Sequence, residues 1–405
     1  MSHRNLLLLA LAAVIASLLA WQFSRTPERH AYADGSIASG ELLLPEFADY
    51  ANDIDQLQVY GGGEQLLLEL QRQDQSWRLV QKDGYAADWN KVRDLLRELG
   101  QARVIAPKTS REAMYPRLGV ADISMQATGG GLLRWNRGDD NALIIGIRSD
   151  DLEGRYVRKP DQAQSYLVDK PLEVPTRPRD WIDRRIVDWQ GSRISAVTVR
   201  HADKDLIQLA RPNDDALELQ LQNLPEGREL SGQWAINGIV NALTGLLADD
   251  VFAAADPVPD EATRLLYVSD NGINLLLSIY PHQPVHAESE DAAETGYRLR
   301  AEASLEPDAA TAETASAEAS AASSDDVAAN AEASNGEAAS NRQDDAAAAA
   351  TTAADEVEQL NQRLRGWEYV IPEYKYNALN KRLEDLLKPL PEPEADSAAA
   401  NNDAE

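Results

Sequence analysis

Cysteine is absent from the 405-residue chain. Its absence excludes disulfide bonds, thiolate metal sites, cysteine nucleophiles and an anchor formed by a lipid-modified cysteine. Histidine is scarce, with five residues. His282 and His286 form a close pair in the sequence, but Pro281 and Pro284 prevent the regular helix that would place both rings on one face. The sequence therefore predicts neither a metal site nor a cofactor.

Basic residues are few: 39 Lys and Arg stand against 67 Asp and Glu, which gives a formal net charge of −28. This balance argues against nucleic-acid binding, which needs cations to replace phosphate counterions, and against adhesion to anionic lipid headgroups. Much of the acidity lies in two segments with few large apolar residues. We predict a disordered acidic insertion over residues 302–355 and a disordered acidic tail over residues 391–405.

Catalytic sequence motifs are missing as well: the chain has no phosphate-binding loop, nucleophile elbow, zinc-protease helix or kinase signature. The glycine clusters Gly61–Gly63 and Gly129–Gly131 lack the Gly-Lys-Ser/Thr ending of a phosphate loop and predict hairpin turns. A pair of Asp or Glu residues follows no spacing rule, so carboxylate chemistry stays open. We predict a protein that is not an enzyme. The alternative is a cell-envelope hydrolase or glycan-binding protein that uses Asp, Glu and aromatic side chains.

One long apolar run is present, from Leu6 to Phe23, after a short basic lead that contains Arg4. At 1.5 Å per residue, about 18 residues cover close to 27 Å, enough for the core of a bilayer. A cleaved signal peptide is the competing interpretation, but Leu18-Leu19-Ala20 fits a cleavage site poorly. We predict an uncleaved signal-anchor, a transmembrane helix within residues 1–25. The residues predicted to contact lipid are Leu6, Leu9, Val14, Leu18, Trp21 and Phe23.

The basic lead also predicts the orientation of the chain. Positive charges before an apolar segment favour an amino terminus that stays in the cytoplasm, so everything after Arg25 would lie outside. We expect a single-pass protein of the inner (cytoplasmic) membrane. Its body would lie in the periplasm or outside, joined to the anchor by a stalk over residues 26–50.

The body repeats one pattern twice. Ile54 to Val59 alternates apolar and polar residues, as is typical of a half-buried strand, and Ile194 to Val199 does the same. Hairpin partners, an amphipathic helix and further strands follow in each copy. We predict an α+β fold: two tandem units of β-hairpin/strand–helix–strands, residues 51–190 and 191–390, after the N-terminal transmembrane helix.

Arginines are concentrated in one part of this acidic chain. They are either a contact surface for an acidic partner or a solvated basic edge. The candidates for partner binding are Arg155, Arg158, Arg184 and Arg185. Six aromatic residues either line a groove or pack in the core: Tyr85, Trp135, Tyr156, Trp181, Trp189 and Trp234.

The order of several short motifs resembles the DUF4340 family. These motifs are Trp77-x-Leu79, Ala87-Asp88, Val92-x-x-Leu95-Leu96-x-x-Leu99, Leu118-Gly119-Val120, Ile145-Gly146 and Gly154-Arg-Tyr-Val-Arg158. The resemblance covers Leu57 to Val187 best and extends more weakly over the second copy. It implies an N-terminal membrane anchor, an extracytoplasmic α+β repeat domain and no family-defined catalytic residues.

Members of this family are often associated with ABC-type export systems of the gliding-motility kind, as auxiliary components. The resemblance therefore implies an integral membrane partner, namely subunits of an ABC transporter. We expect a membrane-anchored extracytoplasmic accessory or binding protein of such a transport system.

Overall fold

The computed structural model describes residues 36–124, 129–136, 141–150, 154–213, 216–282, 296–305 and 352–390. The chain divides into two compact units, Met1–Trp181 and Ile182–Glu405. The predicted anchor segment and the predicted tail lie outside the described residues.

The first unit is built on a nine-stranded antiparallel sheet. Its strands are β1 (Gln56–Tyr60), β2 (Leu66–Gln73), β3 (Ser76–Leu79), β4 (Tyr85–Ala86), β5 (Val104–Pro107), β6 (Gly131–Trp135), β7 (Ala142–Arg148), β8 (Arg155–Arg158) and β9 (Ser165–Val168). In space they follow the order β4-β3-β2-β1-β6-β7-β8-β9-β5. Because β4 and β5 lie at opposite edges, the segment between them has to cross the sheet.

A helix makes this crossing. The helices of the first unit are α1 (Phe47–Tyr50), α2 (Trp89–Gln101) and α3 (Tyr115–Leu118), with 3₁₀ turns at Ala51–Asp53, Gly62–Glu64, Val80–Lys82, Glu112–Met114 and Pro178–Asp180. The Asp88 carboxylate caps α2 by accepting the N–H of Asn90 at 3.0 Å. Val92, Leu95 and Leu99 lie one turn apart and are buried. The apolar stripe predicted from the sequence thus fixes which side of α2 faces the core.

The second unit is built on an eight-stranded antiparallel sheet and a small two-stranded one. The small sheet pairs β10 (Arg185–Val187) with β14 (Leu246–Leu247); the large one contains β11 (Ile194–Arg200), β12 (Leu206–Ala210), β13 (Gln220–Leu221), β15 (Asp250–Ala253), β16 (Thr263–Ser269), β17 (Ile273–His282), β18 (Gly296–Leu305) and β19 (Trp367–Ile371). The strand order of the eight-stranded sheet is β13-β12-β11-β16-β17-β18-β19-β15. The helices are α4 (Gln233–Val240), α5 (352–364), α6 (Glu373–Leu379) and α7 (Leu383–Leu386), with 3₁₀ turns at Gly191–Arg193 and Asn241–Leu243.

The two large sheets share one strand order. Apart from the extra edge strand β4, each strand of the first sheet has a counterpart in the same place in the second, and α2 and α4 each precede the strand that closes the far edge. The registers agree as well. Val157 on β8 pairs with the buried Tyr166, and Leu299 on β18 pairs with the buried Tyr369. These pairs align the two sheets residue by residue.

The predicted fold class, α+β, is wrong, and the N-terminal transmembrane helix that it included is not shown. The described residues form mainly antiparallel β-sheets with few helices. Among these residues, helical structure is confined to one crossing helix in each unit, to α5 and to a few short helices, so the antiparallel strands dominate both units. Within the described part of the chain, no helix combines the length and the apolar character needed to cross a lipid bilayer. Leu6 to Phe23 is not part of it.

Both ends of the predicted acidic insertion, residues 302–355, fall within described elements. Strand β18 continues to Leu305, and residues 352–355 belong to α5; residues 306–351 are outside the described range. Helix α5 is attached to the sheet through Asn361, whose amide donates to the carbonyl oxygen of Ala303 at 2.8 Å and accepts its N–H at 2.9 Å. This side chain occupies the hydrogen-bonding groups of β18 beyond the end of β19.

In the first unit the chain covers its own sheet on the side opposite α2. Leu132, Ala142 and Ile144 on the strands form a buried cluster with Tyr115, Val120 and Ala121 from the segment between β5 and β6. We call residues 115–123 the covering segment.

Arg158, only 3% exposed, fastens the covering segment to the sheet. Its guanidinium donates to the carbonyl oxygens of Val120 at 2.9 Å, Pro160 at 3.0 Å and Gln162 at 3.1 Å. It also pairs with the carboxylate of Asp122 at 2.5 Å. Arg158 therefore stabilises the first unit.

Replacing Arg158 with Ala should lower the free energy of unfolding of the first unit by about 2–4 kcal/mol, because several buried oxygens lose their donor and a cavity forms. Chemical denaturation followed by tryptophan fluorescence measures this loss. Arg148→Ala, at an exposed arginine of the same sheet, should change the value by less than about 0.5 kcal/mol. Equal losses in both variants would contradict the role given to Arg158.

Candidate functional site

Arginine side chains form a row across the second sheet. Arg200 on β11 lies directly opposite Arg264 on β16, Arg264 lies opposite Ser278 on β17, and Ser278 lies opposite Arg300 on β18. Residues directly opposite one another in an antiparallel sheet point to the same face. We call these four residues the cationic row.

The same row in the first sheet is apolar apart from the buried Arg158. Its members are Tyr60, Leu132, Ile144 and Arg158, which are paired in the same way across β1, β6, β7 and β8. There, Leu132 and Ile144 are buried under the covering segment. In the second sheet, Arg200 takes the place of Tyr60, Arg264 that of Leu132 and Ser278 that of Ile144. One structural position thus packs a core in one unit and carries exposed charge in the other.

Arg200 and Arg264 line a surface cavity of about 550 Å³ together with Lys204, which follows in the turn between β11 and β12. Its other lining residues are His201, Ala202, Leu206, Asp260 and Ala262. Within the described chain, Arg200, Lys204 and Arg264 form no ion pair. The cavity therefore presents three unpaired cations against one carboxylate, Asp260.

The carboxylates nearest in sequence are committed elsewhere. Asp203 pairs with Arg382 at 2.7 Å, and Asp205 lies 3.8 Å from the same guanidinium. The hydrogen bond from Arg382 holds the pKa of Asp203 below its ordinary value, and the N–H of Asp205 adds to the effect. Asp203 is therefore the counter-ion of Arg382 and not of the cations that line the cavity.

His201 holds the wall of the cavity in place. Its buried ring donates from Nε2 to the carbonyl oxygen of Lys381 at 3.0 Å, and its Nδ1 lies 3.0 Å from the hydroxyl of Thr263. Thr263 in turn contacts the side chain of Asn380 at 2.7 Å. Both ring nitrogens are thus occupied within the protein, so His201 positions the neighbouring Arg200 and the turn that carries Lys204.

At its far end the cationic row is neutralised. Arg300 donates to Oε2 of Glu368 at 3.0 and 2.7 Å, and the hydroxyl of Tyr280 donates to the same oxygen at 2.6 Å. Burial acts to raise the pKa of Glu368, but the hydrogen bonds from Tyr280 and Arg300 outweigh it and lower that pKa. Glu368 therefore stays ionised, and the uncompensated charge of the row lies at Arg200 and Arg264.

This arrangement suits the binding of an anion. Two guanidinium groups on adjacent strands start from Cβ atoms about 5 Å apart and can converge on one phosphate, sulfate or carboxylate group. Lys204 adds a mobile third charge from the turn. Across the described ranges, no group of three or more His, Asp or Glu residues could hold a metal ion.

The arginines predicted for partner binding are placed differently, and each has a partner within its own unit. Arg158 is buried in the first unit, and Arg155 pairs with Glu173 at 3.1 Å. Arg184 pairs with Asp249 at 2.7 Å, and Arg185 lies 3.7 Å from Asp183. None of the four lines the cavity. The predicted anchor residues Leu6, Leu9, Val14, Leu18, Trp21 and Phe23 lie outside the described residues.

Most of the aromatic candidates pack in the core. Tyr85, Trp135, Trp181 and Trp189 are buried, and Tyr156 packs against the cluster under the covering segment. Trp234, near the start of α4, is 71% exposed. The described residues thus do not bring the six aromatic side chains together in one groove.

Sequence reasoning missed Arg200, Lys204 and Arg264. The two arginines are far apart in the chain and become neighbours only through the register of β11 and β16. The sequence does contain a signal for the two arginines. Both occupy polar positions of alternating strands, and an alignment of the two copies places Arg200 at the position of Tyr60 and Arg264 at the position of Leu132. A charge at a position that is apolar in the sister copy marks a difference in role.

The model of the family described as Domain of unknown function (DUF4340) matches residues 77–265, and the resemblance predicted from the sequence is confirmed over these residues. Arg200 and Arg264 both lie within the matched range. No curated protein and no solved structure matches the chain.

The repulsion between Arg200 and Arg264 predicts that Arg264→Gln will not destabilise the second unit. Like charges directly opposite each other weaken a sheet, so removing one should raise the free energy of unfolding by about 0.2–1 kcal/mol. Urea denaturation at low salt measures the change. The control Arg382→Gln removes a paired arginine and should bring no gain. A loss above about 1 kcal/mol for Arg264→Gln would show that this residue serves stability.

Proposed function

We propose that this chain, which carries a DUF4340 domain over residues 77–265, is a binding protein that takes an anionic group of its ligand into the cavity of the second unit. One observation carries the proposal: Arg200 and Arg264 face each other without an ion pair, within the described chain, at positions that are apolar in the first unit. Their mutual repulsion opposes folding. An anion between them converts that repulsion into two charge-assisted hydrogen bonds.

The setting that we propose for this activity is the outer side of the cytoplasmic membrane. The apolar segment from Leu6 to Phe23 would tether the chain, and the two units would lie in the periplasm or outside. The family resemblance supports a role as an accessory of an ABC-type transport system. The cavity would then engage either the cargo or a subunit of the transporter through an anionic group.

Anion binding is tested on the purified chain by isothermal titration calorimetry with inorganic phosphate and with sulfate at low salt. We expect Arg200→Gln and Arg264→Gln each to weaken binding at least about tenfold, because a charge-assisted hydrogen bond contributes roughly 1.5–3 kcal/mol. Arg365→Gln is the control: its side chain is 59% exposed and pairs with Glu302 in the same unit. If the control weakens binding equally, the effect is one of net charge and the cavity is not the site.

The tether and the partner are tested together in membranes. Deleting residues 6–23 should move the protein to the soluble fraction. Because the chain has no cysteine, Lys204→Cys creates a unique attachment point for a photo-crosslinker beside the cavity. We expect capture of an integral membrane protein from Lys204→Cys and not from Arg365→Cys. Self-contacts alone would rule out the transport role.

An envelope hydrolase or glycan-binding protein is the second candidate, and one cavity of the first unit favours it. This cavity of about 450 Å³ is lined by the carboxylates of Glu64, Asp122 and Asp161, with Tyr60 and Arg134 beside them. Asp122 is already engaged by Arg158, which leaves Glu64 and Asp161 as the pair that acid–base catalysis would use. Release of sugars from cell-envelope glycans, abolished by Glu64→Gln, would favour this reading over the first.

A further inference from the structure

Next to the cationic row, the same face of β11, β16 and β17 is uncharged; on β18 it ends at Glu302, which lies opposite Leu276 and pairs with Arg365 at 2.6 Å. Thr198 on β11 lies opposite Leu266 on β16, and Leu266 lies opposite Leu276 on β17. Each stands two residues along its strand from a member of the cationic row, so all point to the same face. Leu276 is 42% exposed, and Leu266 is partly exposed. Beyond them Ala196 pairs with Val268 and continues the uncharged surface.

This face lacks the cover that the first unit provides for itself. In the first unit the connection between β5 and β6 includes the covering segment, and its side chains pack on the strands. The corresponding connection in the second unit, between β15 and β16, is residues 254–262 only. Asp260 and Ala262 from it line the cavity. The first unit thus demonstrates that this sheet face accepts an apolar layer, and in the second unit a ligand has room to supply one.

We infer that the ligand is a single anionic amphiphile. This inference rests on the proposed function and specifies its ligand class. The charged group lies between Arg200 and Arg264, and the hydrocarbon chain runs along the strands over Leu266 and Leu276. Charge complementarity sets the orientation, because the unpaired cations stand at one end of the face and β11, β16 and β17 carry no charge beyond them. The nearest carboxylate on this face, Glu302 on β18, is paired with Arg365.

The amphiphile binds as an individual molecule and not as part of a membrane surface. The chain carries a net charge of −28, which repels an anionic bilayer as a whole, whereas one anionic group meets the local cations alone. The distance from the cationic row to the pair Ala196 and Val268 is four residues along a strand, about 13 Å. Affinity should therefore rise with chain length and level off once the hydrocarbon exceeds this span.

The test uses monoalkyl phosphates with one head group and different tails. The purified full chain, held in nanodiscs of uncharged lipid, is titrated calorimetrically with ethyl phosphate and with decyl phosphate, and empty nanodiscs are subtracted. We expect decyl phosphate to bind at least about tenfold more tightly, because each buried methylene adds favourable transfer free energy. Arg264→Gln should weaken the binding of both compounds.

Variants of the apolar face separate this inference from the proposed function. Leu266→Gln and Leu276→Gln should bring the ratio of the two affinities close to one and leave ethyl phosphate binding unchanged. Leu305→Gln is the matched control: Leu305 is 40% exposed but pairs with the buried Ile273 on the other face. It should preserve the ratio.

Three outcomes overturn the inference. If ethyl and decyl phosphate bind the unaltered chain equally, the ligand has no hydrocarbon contact and only the anion site remains. If decyl phosphate keeps its advantage in the Leu266 and Leu276 variants, the tail is adsorbed elsewhere. If neither compound binds, the proposed function fails together with the inference.

Discussion

The register of the second sheet is the constraint on which the proposed site depends. Val199, Leu265 and Leu277 are fully buried on one face, and their neighbours along the strands point to the other. A slip of one residue would bury Arg200 and Arg264 and expose the core, so the hydrophobic face fixes where the charges stand. The core residues therefore define the anion site although none of them touches it.

The two units share one sheet architecture but use the same sheet face differently. In the first unit the sheet is covered on both sides, and a buried arginine ties the covering segment down. In the second unit the equivalent strands carry unpaired charge and exposed leucines. Because the two sheets share one strand order, equivalent positions can be compared directly. Leu132 packs in the core of the first unit, whereas Arg264 at the equivalent position of the second unit is exposed and charged.

Local patterns in the sequence predicted the elements better than their assembly. Alternation at Ile194 to Val199 matches β11, and the predicted amphipathic helix of the first copy is α2. The family resemblance is confirmed over residues 77–265. The class was wrong because helices are few beside the strands, and the pairing of those strands into sheets is not encoded locally. Arg264 escaped notice for the same reason, since a lone arginine in an alternating strand looks like any solvent-facing residue.

Asn361 has a consequence for how the protein behaves in a crowded compartment. Strand β18 outlasts its neighbour β19, which would leave a stretch of backbone free to recruit a foreign strand. The Asn361 side chain accepts the N–H of Ala303 and donates to its carbonyl oxygen, as a neighbouring strand would do, so these two backbone groups are not free to pair with another chain. The helix that follows the acidic insertion thereby guards the sheet against edge-to-edge aggregation.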